Sequence, residues 1–156
     1  GTSTFEPLPV AHAFPMLEWG MNWCISTHVN QFLLIHAAVI ERDGRAVILP
    51  APPGSGKSTL CAGLIHRGWR LMSDEVTMIP FDGGGIRALG RPVSLKNASI
   101  DVIGRFEPRA VFNVPTPNTA KGTVTHMKVP PRHLIRSTPW LRASNHAPFA
   151  WAIGSS

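Results

Sequence analysis

Ala51-Pro52-Pro53-Gly54-Ser55-Gly56-Lys57-Ser58 decides how this chain is read. It satisfies the phosphate-loop pattern G-x-x-x-x-G-K-[ST] at every fixed position but the first, where Ala51 stands for glycine. A dense polyphosphate anion needs many backbone N–H donors converging on it. Gly54 and Gly56 let the chain curl that closely because no Cβ intervenes. Lys57 brings a cation to the β- and γ-phosphates, and Ser58 brings a hydroxyl for Mg²⁺. Pro53, Gly54, Ser55, Gly56, Lys57, Ser58 and Thr59 are therefore the expected nucleotide contacts.

The flanks agree with this reading. Arg45-Ala46-Val47-Ile48-Leu49 is a short apolar run of the kind a loop-preceding strand requires. Leu60, Cys61, Leu64 and Ile65 then fall on one face of a helix whose positive dipole end points back at the loop. Gly68 stands where a helix C′ residue belongs.

At 156 residues, 44% hydrophobic and 15% charged, the chain reads as one globular domain over residues 1–156. Residues 17–127 read as its patterned core, and residues 128–156 read as irregular, with a truncated or unnatural end expected there. Gly1 in place of Met suggests a trimmed or internal start. The N-terminus shows no basic region followed by an apolar run, so no secretory signal is expected. Cys24 and Cys61 are too few for a disulfide framework and read as buried thiols in a reducing, cytoplasmic compartment. Trp19 to Ile40 carries no Asp, Glu, Lys or Arg, yet it is too polar to span a membrane. It reads as a buried helix followed by a buried strand.

Residues 1–107 hold nine basic and nine acidic side chains, whereas residues 108–156 hold six basic and no acidic ones. These cations are spread out without interleaved aromatic residues, which argues against a nucleic-acid surface. An acidic partner, a solvated face or a phosphate-site contribution remain as readings of the basic excess.

In chain order, residues 1–16 suggest an extended lead-in. Leu17 to about His28 reads as a helix with Leu17, Met21, Cys24 and Ile25 on its inner face. Gln31 to Ile40 reads as a strand, and Asp43-Gly44 between two apolar runs signals a hairpin. Trp69 to Pro80 is a strand interrupted by Asp74-Glu75. Ile86 to Leu89 is a candidate returning strand, Gly90 to Asn97 a polar loop or short strand, Ser99 to Ile103 a helix start, and Gly122 to Met127 a strand. Seven prolines after residue 107 keep regular structure there short.

Asp74 and Glu75 follow Lys57 by 17 and 18 residues, one helix and one turn away. Such spacing brings carboxylates back to the phosphate loop on the next strand. One could hold Mg²⁺ while the other accepts the proton of an attacking hydroxyl; the plainer alternative is a pair of surface acids in a turn. Arg91, Lys96 and Lys121 are further candidates for phosphate or acceptor contacts, with Lys121 read either as part of a lid or as a solvated turn.

Residues 33–79 resemble the bacterial HPr kinase/phosphorylase family, and within it the HPr-kinase-related group A. The resemblance rests on Leu34-Ile35-His36-Ala37-Ala38-Val39, on Pro53-Gly54-Ser55-Gly56-Lys57-Ser58, and on Arg67-Gly68-Trp69-Arg70-Leu71-Met72-Ser73-Asp74-Glu75. It implies an α/β P-loop kinase fold of the HPr kinase/phosphoenolpyruvate carboxykinase type, a twisted mixed sheet with flanking helices. It also implies ATP and Mg²⁺ as cofactors, and transfer to a serine hydroxyl of a protein or peptide. By position, Lys57 would bind phosphate, Ser58 the metal, and Asp74 the acceptor hydroxyl, with Glu75 on the metal; the last two roles are interchangeable. His36 aligns with a histidine near the family's active site, although a histidine in an apolar strand is also a common core residue. The family's R-G-L-G-I-I-D-type segment is matched only by Arg87-Ala88-Leu89-Gly90, so neither the reverse reaction nor HPr as substrate carries over. A small-molecule kinase and a non-catalytic ATP-binding partner domain stay open, as does a homo-oligomer.

Overall fold

The computed structural model describes residues 8–135. The expectations for residues 136–156, and for the first seven positions of the lead-in, lie outside the described residues. Among the described residues, three α-helices and eight strands follow in the order α1 (Ala13–His28), β1 (Phe32–Ile35), β2 (Ala37–Arg42), β3 (Arg45–Pro50), α2 (Lys57–Ile65), β4 (Arg70–Ser73), β5 (Thr77–Pro80), β6 (Val93–Lys96), α3 (Ala98–Phe106), β7 (Thr116–Thr119) and β8 (Gly122–Met127). The strands form three small sheets, β1-β5, β3-β2-β4 and β6-β8-β7, each paired antiparallel.

The hairpin β2-β3 forms where Asp43-Gly44 placed it, with Arg42 opposite Arg45. Asp43 (φ 54°) and Gly44 (φ 76°) both take the left-handed backbone that a two-residue type I′ turn needs. Glu41 closes the turn by accepting the Gly44 N–H at 2.7 Å and the Arg70 Nε–H at 2.5 Å. That buried carboxylate ties the turn to β4, and its hydrogen bond from Arg70 holds its pKa below the ordinary glutamate value.

The apolar run 31–40 does not make one strand. It bends at His36, so β1 pairs with β5 while β2 pairs with β3 and β4. The acidic interruption divides the other long run in the same way, sending β4 to the central sheet and β5 to the edge pair. Strand β2 is buried on both faces, which explains its unbroken apolar sequence. Ala38 and Ile40 meet α2, α3, β6 and β8 in one cluster with Cys61, Ile65, Leu95, Ile103 and Met127. Ala37 and Val39 pack on the opposite side with Ile48, Met72 and Ile135.

Helix α2 buries Cys61, Ala62 and Ile65. Leu60, expected on the same face, is 53% exposed. The helix ends in a Schellman arrangement: Gly68 (φ 91°) donates to the Ile65 carbonyl at 3.1 Å, and Trp69 donates to the Leu64 carbonyl at 3.2 Å.

Helix α1 corrects the expectation of a buried apolar face. It starts at Ala13, after a 3-10 turn at Val10–His12 where an extended lead-in was expected. Leu17 is 59% exposed and Trp23 64%, and Cys24 is exposed as well. The residues it buries fully are Pro15 and Glu18, with Asn22 part-buried behind them. Farther on, residues 86–89 make only a bridge from Arg87 to Met78. Residues 93–96 form a buried strand, and β7 is a four-residue strand in the proline-containing stretch where regular structure was expected to be short. Among the described residues no helix is long and apolar enough to cross a membrane.

Two glycines should respond oppositely to alanine. Gly68→Ala forces a Cβ into the left-handed region and should lower urea-unfolding stability by about 1 kcal/mol. Gly20→Ala lies inside α1 with nothing within 4 Å of the added Cβ, and should raise it by roughly 0.5–1 kcal/mol. Equal responses would contradict this backbone assignment.

Candidate active site

The loop leaves β3 at Pro50 and enters α2 at Lys57. Residues 52–56 are exposed. Gly54 (φ 85°) and Gly56 (φ 89°) adopt backbone that a side chain would strain. The first helical hydrogen bond runs from the Leu60 N–H to the Gly56 carbonyl at 2.9 Å, and no side chain caps the helix start. The N–H groups of Lys57, Ser58 and Thr59 therefore stand free of the helix ladder at its positive end. The Lys57 ammonium folds back onto the Ala51 carbonyl at 2.7 Å and the Pro52 carbonyl at 3.3 Å. Those are loop acceptors that an anion's oxygens would replace.

The acidic corner between β4 and β5 is fixed by Ser73, whose hydroxyl donates to the Val76 carbonyl at 2.5 Å. Its two carboxylates meet different environments. Asp74 is 6% exposed. Its Oδ2 accepts the Ser94 N–H at 2.9 Å. The Ser58 hydroxyl lies near enough to favour the charged form, yet Oδ1 is buried without completing a hydrogen bond. Burial pushes the Asp74 pKa up to about 6, against the Ser94 N–H and the Ser58 hydroxyl and with help from the Glu75 charge.

Glu75 is more open. Its Oε1 faces the Lys96 ammonium at 3.3 Å, and its Oε2 accepts the Asn22 Nδ2–H at 2.6 Å. Burial works to raise its pKa, but Lys96, Lys121 and His36 outweigh it and hold the carboxyl below the ordinary value.

The same electrostatic neighbourhood includes the cations. The Lys57 pKa is lowered by burial, opposed by Asp74 and Glu75. His36 is exposed at the bend between β1 and β2, not packed in a strand. Its pKa is lowered by burial of part of the ring and by Lys57, with Glu75 opposing. Cys61, on the buried face of the loop helix α2, is pushed well above the usual thiol range by burial and by Asp74, so it is an inert packing residue.

The structure thus brings Lys57, Ser58, Asp74, Glu75, His36 and Lys96 into one locale. Lys121 reaches it electrostatically while its ammonium sits 5.0 Å over the Trp19 ring. Arg91 donates to Asn22 Oδ1 at 2.5 Å. Three residues escaped the sequence reading: Glu18, Asn22 and Ser94, which line a cleft with Asp74, Glu75 and Arg91. Glu18 and Asn22 are four apart, so a polar stripe on α1 was there to be found. Ser94 sits in a run of mixed polarity that gives no such signal. Oxygen donors at Ser58, Asp74 and Glu75, with one carboxylate oxygen unpartnered, suit a hard cation such as Mg²⁺ shared with phosphates.

A family model described as SynChlorMet cassette protein ScmC matches residues 13–94, and the chain belongs to that family. The match covers the helix α1, the loop and the acidic corner together. No curated protein and no solved structure matches the chain. The family is ScmC and not an HPr kinase family, which corrects the resemblance drawn from residues 33–79. What that resemblance lent to Lys57, Ser58, Asp74, Glu75 and His36 now stands only on motif and geometry.

The Asp74 shift gives a signed prediction. Its folded pKa of about 6 lies above the ordinary aspartate value of 3.8, so burial makes its ionisation unfavourable. The Asp74 contribution to stability should be full below about pH 4 and fall by roughly 3 kcal/mol as pH rises to about 6, while Glu41 and Glu75, held below their ordinary values, work in the opposite direction at acid pH. Asp74→Asn should remove this part of the slope and raise Tm at neutral pH. A variant no more stable than its parent at pH 7.5 would contradict the burial of an unpaired Asp74 oxygen.

Proposed function

We propose that this member of the ScmC family is an ATP-dependent phosphotransferase acting on a hydroxyl acceptor. The observation that carries the reading is the return of a buried, half-satisfied Asp74 to the Ser58 end of an uncapped, glycine-curled loop. A generic turn has no reason to keep a carboxylate so placed, since a buried unpartnered acceptor costs about 1–3 kcal/mol. When bound, Mg²⁺ and ATP would supply the γ-phosphoryl group and a counter-charge for it.

The residues divide the remaining work. The loop N–H groups and Lys57 orient the phosphates and stabilise charge on the transferring group. Ser58 and Glu75 offer oxygens to the cation. Asp74 faces the acceptor hydroxyl and takes its proton. The opposite environments of the two carboxylates fit this division: cations keep Glu75 charged, while burial brings Asp74 nearer the range of a useful base. Fold class follows as a proposal too, an α/β nucleotide-binding kinase domain built around β3, the loop and α2. The serine of a protein or peptide was implied only by the corrected resemblance. The site itself supports a hydroxyl acceptor.

Two substitutions test the assignment. Lys57→Ala should abolish ATP turnover and weaken binding of a fluorescent ATP analogue. Asp74→Asn should bind the analogue within about twofold of the parent yet lose about 10²-fold or more in turnover. Turnover at the parent rate in Asp74→Asn would remove it from the chemistry.

A further inference from the structure

Among the described residues, α1 contributes no side chain to either buried apolar cluster. The contacts that seat it are largely polar. Asn22 donates from Nδ2 to Glu75 Oε2 at 2.6 Å and accepts from Arg91 Nη2 at 2.5 Å. Glu18 meets His126 Nε2 at 2.5 Å, with the Phe14 ring centroid 4.7 Å from that imidazole. Lys121 lies 5.0 Å over the Trp19 ring, and the Thr116 hydroxyl donates to the Ala11 carbonyl at 3.3 Å. Few buried apolar contacts are the mark of an element that opens at low cost. A wall fixed by packing would turn Leu17 and Trp23 inward, and both face solvent.

Beneath α1 the site is shut. The cavity between this helix and the start of β6 amounts to about 10 Å³, room for about one water. Asp74 is buried there, so no acceptor larger than water fits against its carboxylate while the helix is seated. Nor are the oxygens of Glu75 free, since Lys96 holds Oε1 at 3.3 Å and Asn22 holds Oε2. The neutral Asn22 amide is the weaker of the two holders, because a charged donor makes the stronger hydrogen bond. The helix ends at His28, and Val29 leaves helical backbone (φ −97°, ψ 85°) before β1 begins at Phe32. A short link therefore joins α1 to the sheet.

We propose that α1 is a gate over the acidic corner, turning on residues 29–31, and that capture of a divalent cation by Glu75 releases Asn22 and opens the corner to the acceptor. This rests on the phosphotransferase reading above, which puts the cation at Glu75 and the acceptor at Asp74. Opening uncovers polar groups on both sides of the cleft, so it exposes little apolar surface to water. The coupling is reciprocal: whatever loosens α1 tightens the cation, and the cation loosens α1.

The full chain, Asn22→Ala and Glu18→Gln should be compared by amide hydrogen exchange over residues 13–28 and by calorimetric titration of ATP with and without Mg²⁺. In the parent, ATP and Mg²⁺ together should speed exchange in α1 about fivefold or more and leave β2 unchanged. Asn22→Ala deletes the contact on Glu75, so its α1 should exchange faster before any ligand is added. Its Mg²⁺ enhancement of ATP binding should exceed the parent's about five- to tenfold, the worth of one hydrogen bond. Glu18→Gln weakens the far anchor without touching Glu75. An enhancement raised about twofold there separates a moving helix from competition at one oxygen. Three results would overturn the gate and leave the phosphotransferase reading standing: α1 exchange unchanged or slowed in a parent that binds ATP with Mg²⁺, or an enhancement no greater than the parent's in either variant. A parent chain that binds no nucleotide would overturn the phosphotransferase reading itself, and the gate with it.

Discussion

The burial of Asp74 is the constraint around which the site is arranged. Its position follows from the break between β4 and β5, which turns the chain at Ser73 and sends the two halves into different sheets. The Ser94 N–H holds one oxygen, and α1 closes the space above through Glu18 and Asn22. A carboxylate in so dry a place is raised toward neutral pH because water no longer solvates its charge. Its neighbour Glu75, only one residue on, stays charged because Lys96 and Lys121 face it. Two adjacent acids thereby acquire different chemistry from their surroundings alone.

Helix α1 is understood from the same constraint. An amphipathic helix on a globular surface ordinarily turns its apolar side inward. Here Glu18 and Asn22 face in, and Leu17 and Trp23 face solvent. Inward polarity is needed because what lies beneath is the polar corner, not the core. Glu18 meets His126 on β8, and Asn22 bridges Glu75 and Arg91. The helix thus forms the wall of a cleft and leaves the packing of the core to α2 and α3.

Much of this was legible in the residues. The loop, the strand before it, the helix after it, the Asp43-Gly44 hairpin and the Gly68 stop all depend on local backbone chemistry, and local chemistry is written in neighbouring positions. The return of Asp74-Glu75 was legible from chain length alone. The bend at His36 was not, because an apolar run carries no mark of which sheet each half will join. The orientation of α1 was misjudged for a related reason: its apolar residues outnumber its polar ones, and only the tertiary demand of the acidic corner selects the polar stripe. Ser94 matters through its N–H and its burial, neither of which a sequence displays. The resemblance to HPr kinases overreached by extending a shared local pattern to a family, where the match over residues 13–94 is to ScmC.

The central claim is that the loop and the acidic corner bind nucleotide and metal as one site. Calorimetric titration of ATP into the full chain, with and without Mg²⁺, tests it most directly, with Glu75→Gln as the comparison. The account predicts that Mg²⁺ tightens ATP binding to the parent chain. It also predicts that Glu75→Gln loses this enhancement while binding metal-free ATP as before. ATP binding indifferent to Mg²⁺ in the parent, or a Mg²⁺ enhancement undiminished in Glu75→Gln, would contradict it.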